Sequence, residues 1–240
     1  MRVVVVRHHE EDSAGFIGAA FEARGARLST ILFPKEGPLP DLNGPAHIVL
    51  LGSTCSVYDE GEARAWIDEE LAWLQRADAA GVPVLGICFG AQMLAAAFGG
   101  TVEHAGRQEI GWVTVGTEDP DLIPPGPWLE FHHDRCLPPA GATVLAHNDL
   151  GVQAYRLGRH LAVQFHPEVD GDQFRLWLNA GGRAEIEANG QDPGAMLAET
   201  IAEEPGAAAR ADRLVASALR IAAWGPAPSA GQHHRRPEAG

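Results

Sequence analysis

This sequence predicts an α/β fold built on a mostly parallel central sheet. Three observations point there: β-branched runs such as Val3-Val6 with no polar alternation, helical periodicity between such runs, and a strand that passes into a helix without a loop at Cys88. A run that is apolar at every position belongs to a strand buried on both faces, as in a parallel sheet covered by helices. The 240-residue length is ample for such a core, and 45% hydrophobic with 21% charged residues excludes disorder of the whole chain.

Val3-Val6 is the first strand. Asp12 or Ser13 is placed to cap a helix with Phe16, Ile17, Ala20 and Phe21 on one face, and Gly25 stops it. Leu28-Phe33 reads as the second strand and His47-Leu51 as the third, with Pro34, Gly37, Pro38 and Pro40 in the loop between them. Asp59 followed by Glu62 resembles a capping box, and Ala63, Trp66, Ile67, Leu71 and Leu74 continue at helical spacing until Gly81. Val82-Ile87 is a fourth strand, and Phe89-Phe98 is the helix that follows it directly. The pieces Ile110-Val115, Trp128-His132, Thr143-His147, Val152-Arg156 and His160-Phe165 read as a partly antiparallel extension that returns to the main sheet. Helical patterns resume at Phe174-Leu178, Met196-Ile201 and Ala211-Trp224. The expected organisation is a domain over 1–180, a helical extension packed on it over 181–224, and a disordered tail over 225–240.

Composition narrows the function. With 32 acidic against 18 basic residues, a net charge of −14 and the single lysine Lys35, the chain lacks the cationic surface that nucleic acid requires. No apolar stretch has the length of a membrane span or a signal-peptide core, so neither a membrane nor secretion is expected and the expected location is cytoplasmic. Cys55, Cys88 and Cys136 lack CxxC spacing, which argues against a disulfide framework or a zinc site. No GxxxxGK[ST] loop is present, and no cofactor or metal is expected. His8-His9-Glu10 reads as a solvated loop, since adjacent side chains in an extended segment point to opposite faces.

Two segments carry chemistry. In Gly86-Ile87-Cys88-Phe89-Gly90-Ala91-Gln92 the cysteine stands at a sharp strand-to-helix turn, with glycine two residues to either side so that neighbouring backbone can pass close. The helix that follows aims its positive end at the sulfur and favours thiolate. In Gln164-Phe165-His166-Pro167-Glu168, His166 suits the base that such a nucleophile needs, and Glu168 the group that orients the base. A tetrahedral intermediate also requires backbone donors for its oxyanion, and the Phe89 amide is one. Gln92, one turn beyond the nucleophile, leans back toward the pocket.

The two motifs together resemble those of class I, triad-type, glutamine amidotransferase domains, over residues 1 to about 170. Within that family the chain is most similar to the glutaminase domain of GMP synthase and its stand-alone relatives, through Glu109-Ile110-Gly111-Trp112 and Val152-Gln153-Ala154-Tyr155-Arg156. The resemblance implies a flavodoxin-like sheet, a catalytic triad of Cys88, His166 and Glu168, and release of ammonia from the glutamine side chain by way of a thioester. It places a second oxyanion donor at the Ser53 amide, in the segment Gly52-Ser53-Thr54-Cys55-Ser56-Val57-Tyr58, where relatives have Gly-Gly-Pro. It implies substrate contacts at Gly52, at Gln92 and, through the segment Phe131-His132-His133-Asp134, at His133. If Ser53 must adopt a positive φ, the strain is about 1 kcal/mol or more. The expectation is then a peptide that flips between two orientations and a low basal activity. The partner implied is a separate synthase; the alternatives are a free-standing hydrolase of γ-glutamyl amides and a binding module that keeps only the fold.

Overall fold

The computed structural model describes residues 1–225, so the tail expected from 225 onward lies, apart from Gly225, outside the described residues. The strands are β1 (Arg2–Arg7), β2 (Arg27–Leu32), β3 (His47–Leu50), β4 (Val84–Ile87), β5 (Thr101–Thr114), β6 (Gly116–Thr117), β7 (Pro127–Leu137), β8 (Thr143–Asn148), β9 (Gly151–Leu157) and β10 (His160–Val163). The helices are α1 (Gly15–Glu22), α2 (Glu62–Ala79), α3 (Phe89–Ala97), α4 (Gly171–Trp177), α5 (Arg183–Ala188) and α6 (Pro193–Ala222).

An eight-stranded sheet runs in the order β2-β1-β3-β4-β10-β9-β8-β6. Its first five strands pair in parallel and the remainder antiparallel. The parallel half reproduces the flavodoxin-like strand order, which opens a crevice at the carboxyl ends of the strands. β5 and β7 form a separate two-stranded antiparallel sheet. The extension read from the sequence is therefore split between the edge of the main sheet and this second ribbon.

The valine run of β1 divides as a strand buried on both faces should. Val3 and Val5 join a core with Ile17 and Phe21 of α1 and Leu214, Val215 and Ile221 of α6. Val4 and Val6 face Ile67, Trp73 and Leu74 of α2 and Met93 and Leu94 of α3. Each of these valines is at most 1% exposed, which is worth about 1.5–3 kcal/mol apiece in burial.

Three local expectations are corrected. Neither Asp12 nor Ser13 is the N-cap of α1, which is Ala14 without a side-chain bond; the Ser13 hydroxyl does accept the Gly15 amide at 3.3 Å, while Asp12 accepts a hydrogen bond from Trp177 Nε1 at 2.9 Å. Asp59 does not cap α2, whose N-cap is Gly61; its carboxylate accepts the Ser56 amide and closes a turn earlier in the loop. Met196-Ile201 and Ala211-Trp224 are not separate helices: the first and, as far as Ala222, the second belong to the continuous α6, which carries Pro205 in its interior.

Candidate active site

Four loops meet at the carboxyl edge of the parallel strands, one each after β1, β3, β4 and β10. Cys88 stands between β4 and α3 with φ 52° and ψ −109°, the only non-glycine residue of positive φ among the described residues. The flanking glycines are obligatory for steric reasons. A Cβ on Gly86 would lie 2.5 Å from the Gly90 carbonyl oxygen, and one on Gly90 would lie 2.2 Å from that of Leu50. The sharp turn thus brings α3 against β3 and β4 at backbone distance, with its first-turn amides beside the sulfur.

On one side His166, three residues beyond the end of β10, stands beside Cys88, with which it lines a common cavity and the space above Gly52. On the other side its Nδ1 is 2.8 Å from Glu168 Oε1. Burial disfavours the imidazolium, but the Glu168 carboxylate and the Cys88 sulfur outweigh it and hold the His166 pKa well above its ordinary value. Trp177 packs edge-on against the ring, centroids 4.8 Å apart, and is itself fixed by Asp12. The expected triad is thus brought together in one place, buried to within 5% exposure at each residue.

The strain expected at Ser53 is absent, because Ser53 is not in the left-handed region. The strained residue is Cys88 itself. The loop is held by neighbours: the Ser53 hydroxyl accepts the Cys55 amide at 3.1 Å, and the Thr54 amide donates to His9 Nε2 at 3.1 Å. Gly52 packs directly under Cys88 and His166, where a Cβ would come within 3.2 Å of His166 Cε1 and 3.8 Å of the Cys88 Cβ. Among the described residues the backbone N–H groups of Ser53 and Phe89 donate to no backbone carbonyl.

Two cavities flank Cys88. The smaller, about 80 Å³, is lined by Gln92, Phe131, His133 and Asp134. Gln92 is buried, not solvated, and its amide reaches Gln164 Oε1 at 3.2 Å. The larger, about 410 Å³, lies on the His166 side and is lined by Glu11, Asp12, Trp177 and Glu185. Ser53 borders both.

Sequence reasoning missed several residues around the site. His8 is not in a solvated loop; its side chain is 2% exposed and pairs with the buried Glu70. His132 lies between Glu109 and Glu130, with Nε2 3.1 Å from a carboxylate oxygen of each. Burial works against its charge, but the two carboxylates raise its pKa, while burial raises that of Glu130. Donor atoms of these three residues lie within 4.8 Å of one another. The one available signal was position: His8 ends a parallel strand at the edge where such sheets bind ligands.

An α/β scaffold with a cysteine at a strand-to-helix elbow and a histidine and glutamate beside it defines a class of enzyme, and comparison places the chain within that class. Residues 17–178 match the family model for glutamine amidotransferase class-I, and the chain belongs to that family. A GMP synthase [glutamine-hydrolyzing] of Streptomyces avermitilis is 36% identical over 167 residues, which are 62% of this chain and 29% of that protein. A Thermus thermophilus protein of the same description is 33% identical over 156 residues, 61% of this chain and 29% of its own length. The chain thus spans less than a third of these relatives. A glutamine amidotransferase structure from Thermotoga maritima superposes with a TM-score of 0.82 at 26% identity, covering 92% of this chain and 97% of that one. A glutamine amido transferase structure from Methylobacillus flagellatus, 23% identical, shares the fold with a TM-score of 0.82 and covers 98% of both chains. Among the described residues no helix is long and apolar enough to cross a membrane.

Proposed function

We propose that the chain hydrolyses the side-chain amide of glutamine through Cys88, His166 and Glu168, and that the ammonia serves a separate synthase. The observation that carries this is that His166 stands beside the elbow cysteine with its Nδ1 2.8 Å from Glu168 Oε1. The Cys88 thiolate attacks the amide carbon, and the carbonyl electron pair moves to oxygen, between the amides of Phe89 and Ser53. The oxyanion collapses, His166 gives its proton to the departing nitrogen, the C–N bond breaks and ammonia leaves a thioester. Water, deprotonated by His166, attacks that thioester; the C–S bond breaks and glutamate is released. Glu168 keeps the His166 Nδ1 proton in place and stabilises the imidazolium without taking the proton. Gln92 and His133, at the smaller cavity, suit the amino-acid end of the substrate.

The test is ammonia release from glutamine by the wild-type chain, by Cys88→Ala and by Glu168→Gln. Cys88→Ala is expected to be inactive yet folded, and Glu168→Gln to be impaired less. A glutamine-analogue electrophile that labels Cys55 or Cys136 in place of Cys88 refutes the assignment. A second reading, hydrolysis of larger γ-glutamyl amides, is favoured by the cavity of about 410 Å³ beside His166, since about 10–15 Å³ suffices for a molecule the size of water or ammonia. Assaying γ-glutamyl amides of increasing amine size beside glutamine separates the two.

A further inference from the structure

The peptide between Gly52 and Ser53 decides whether an oxyanion finds its second donor, and a buried ion pair grips its carbonyl end. His8 follows Arg7 at the end of β1, and its Nδ1 lies 2.8 Å from the Gly52 carbonyl oxygen. Its Nε2 lies 3.1 Å from Glu70 Oε2 on α2, and the two side chains are 2% and 0% exposed. The ring is lodged against Trp66 and Phe89, with centroids 5.4 and 5.1 Å away, so it cannot turn to other partners unless these aromatics move. Facing a carboxylate on one side and a carbonyl on the other, the ring is matched on both nitrogens only when both are protonated and both donate. Burial alone lowers the His8 pKa, yet Glu70 and the Gly52 carbonyl outweigh it and hold it above the ordinary value.

The Gly52–Ser53 bond is trans, and in a trans peptide the carbonyl and the N–H point in opposite directions. Drawing the carbonyl toward His8 therefore sends the Ser53 N–H away from it. Gly52 lies against Cys88 and His166, Ser53 borders both cavities, and the Ser53 N–H meets no backbone acceptor among the described residues. We propose that His8, oriented by Glu70, is a positioning residue that locks the Gly52–Ser53 peptide with its N–H turned toward the nucleophile, so that the oxyanion hole is preformed. The proposal rests on the reading of Ser53 as a donor given above. It replaces the flipping loop expected from the sequence with a fixed one, and a partner is not needed to assemble the hole.

The test compares two reactions of the same thiol. Hydrolysis of glutamine builds an oxyanion, whereas alkylation of Cys88 by iodoacetamide is a displacement at saturated carbon and builds none. His8→Phe keeps a ring among the aromatics and removes both donors. His8→Asn combined with Glu70→Gln returns an N–H to the place of Nδ1 and leaves no unpaired carboxylate. His8→Phe is expected to lower kcat for hydrolysis on the order of 10²-fold, the usual effect of losing one oxyanion donor, with KM and the alkylation rate nearly unchanged. The Asn/Gln pair recovers most of that loss. Should His8→Phe not fold, His8→Leu with Glu70→Gln, which buries no charge, takes its place against the Asn/Gln pair. Equal loss of hydrolysis and alkylation, or unchanged hydrolysis, overturns the proposal. If the wild-type chain hydrolyses no γ-glutamyl amide, it is the proposed function that fails. The crystal structure of His8→Phe then decides the latch: a reversed Gly52–Ser53 peptide supports it, and a carbonyl still facing position 8 overturns it.

Discussion

Histidine at position 47 shows how a single buried side chain sets a pH dependence. His47 opens β3, is 1% exposed, and neither ring nitrogen has a hydrogen-bond partner among the described residues. Burial, with His160 adding to it, pushes its pKa down to about 3. A histidine depressed in the folded state gains a proton on unfolding at any pH between the two values. Stability therefore falls as pH drops below about 6.5 toward 3, by up to about 1.4 kcal/mol per pH unit, and is unaffected by this group above that window. His47→Leu removes the proton site and the unpaired nitrogens. Urea unfolding at pH 7 and pH 5 should show the variant at least as stable as wild type at pH 7 and less weakened at pH 5; equal weakening would refute the assignment. The same chemistry explains what was and was not legible residue by residue. Cys88, His166 and Glu168 were marked by two short motifs, Gly86–Gln92 and Gln164–Glu168, taken together with the family resemblance those motifs carry. His8, Asp12 and Trp177 acquire their meaning from partners 62 and 165 positions away in sequence, which no local pattern reveals.

At the scale of elements, the apolar runs and breakers located the strands because burial on both faces leaves an unambiguous imprint. The long α6 was split in the reading because Pro205 and Gly206 interrupt the pattern, yet the helix continues through them. Its C-terminal half docks on α1 through Ala211, Leu214, Val215 and Ile221, and tertiary packing there overrides local propensity. The first half of β5 and all of α5 lacked periodic apolar positions and left no signal. One contact between elements bears on the proposed mechanism. Gly15 opens α1 with φ +38°, and its amide neighbour Phe16 donates to the Glu168 carbonyl at 3.0 Å. A Cβ on Gly15 would lie 1.9 Å from that same oxygen, so Gly15→Ala must displace either α1 or the backbone that carries Glu168. Both are backbone, and neither can yield as a flexible side chain would. The variant should lose on the order of 2 kcal/mol or more of stability and most of its amidase activity, measured by thermal unfolding and ammonia release. A variant with wild-type turnover would show that Glu168 is held from elsewhere.

On the scale of the whole molecule, Cys88 divides a binding crevice into two unequal parts, and chemistry assigns each part a role. On the proposed mechanism His166 delivers its proton to the leaving nitrogen, which puts the leaving group on the side that His166 borders, the cavity of about 410 Å³. The acyl portion then lies toward Gln92, His133 and Asp134. The leaving-group side is lined by Glu11, Asp12 and Glu185, and among the described residues no lysine or arginine lines it. The chain as a whole carries a net charge of −14, so the potential at that mouth adds to the local carboxylates. An amine with a second, positively charged end is accordingly favoured over a neutral one of equal length, and an anionic one is disfavoured. Three γ-glutamyl amides of matched length, ending in an ammonium, a methyl or a carboxylate, put this to the test. The expected order of kcat/KM is ammonium, then methyl, then carboxylate. Because exposed charges are screened over about 10 Å at 0.1 M salt, the spread should narrow as salt is raised. Glu11→Gln, at a carboxylate that lines the larger cavity and not the smaller one, should narrow it further while the methyl-ended amide is hydrolysed as before. A carboxylate-ended amide hydrolysed as well as the ammonium-ended one, at low salt, would show that these carboxylates do not face the leaving group.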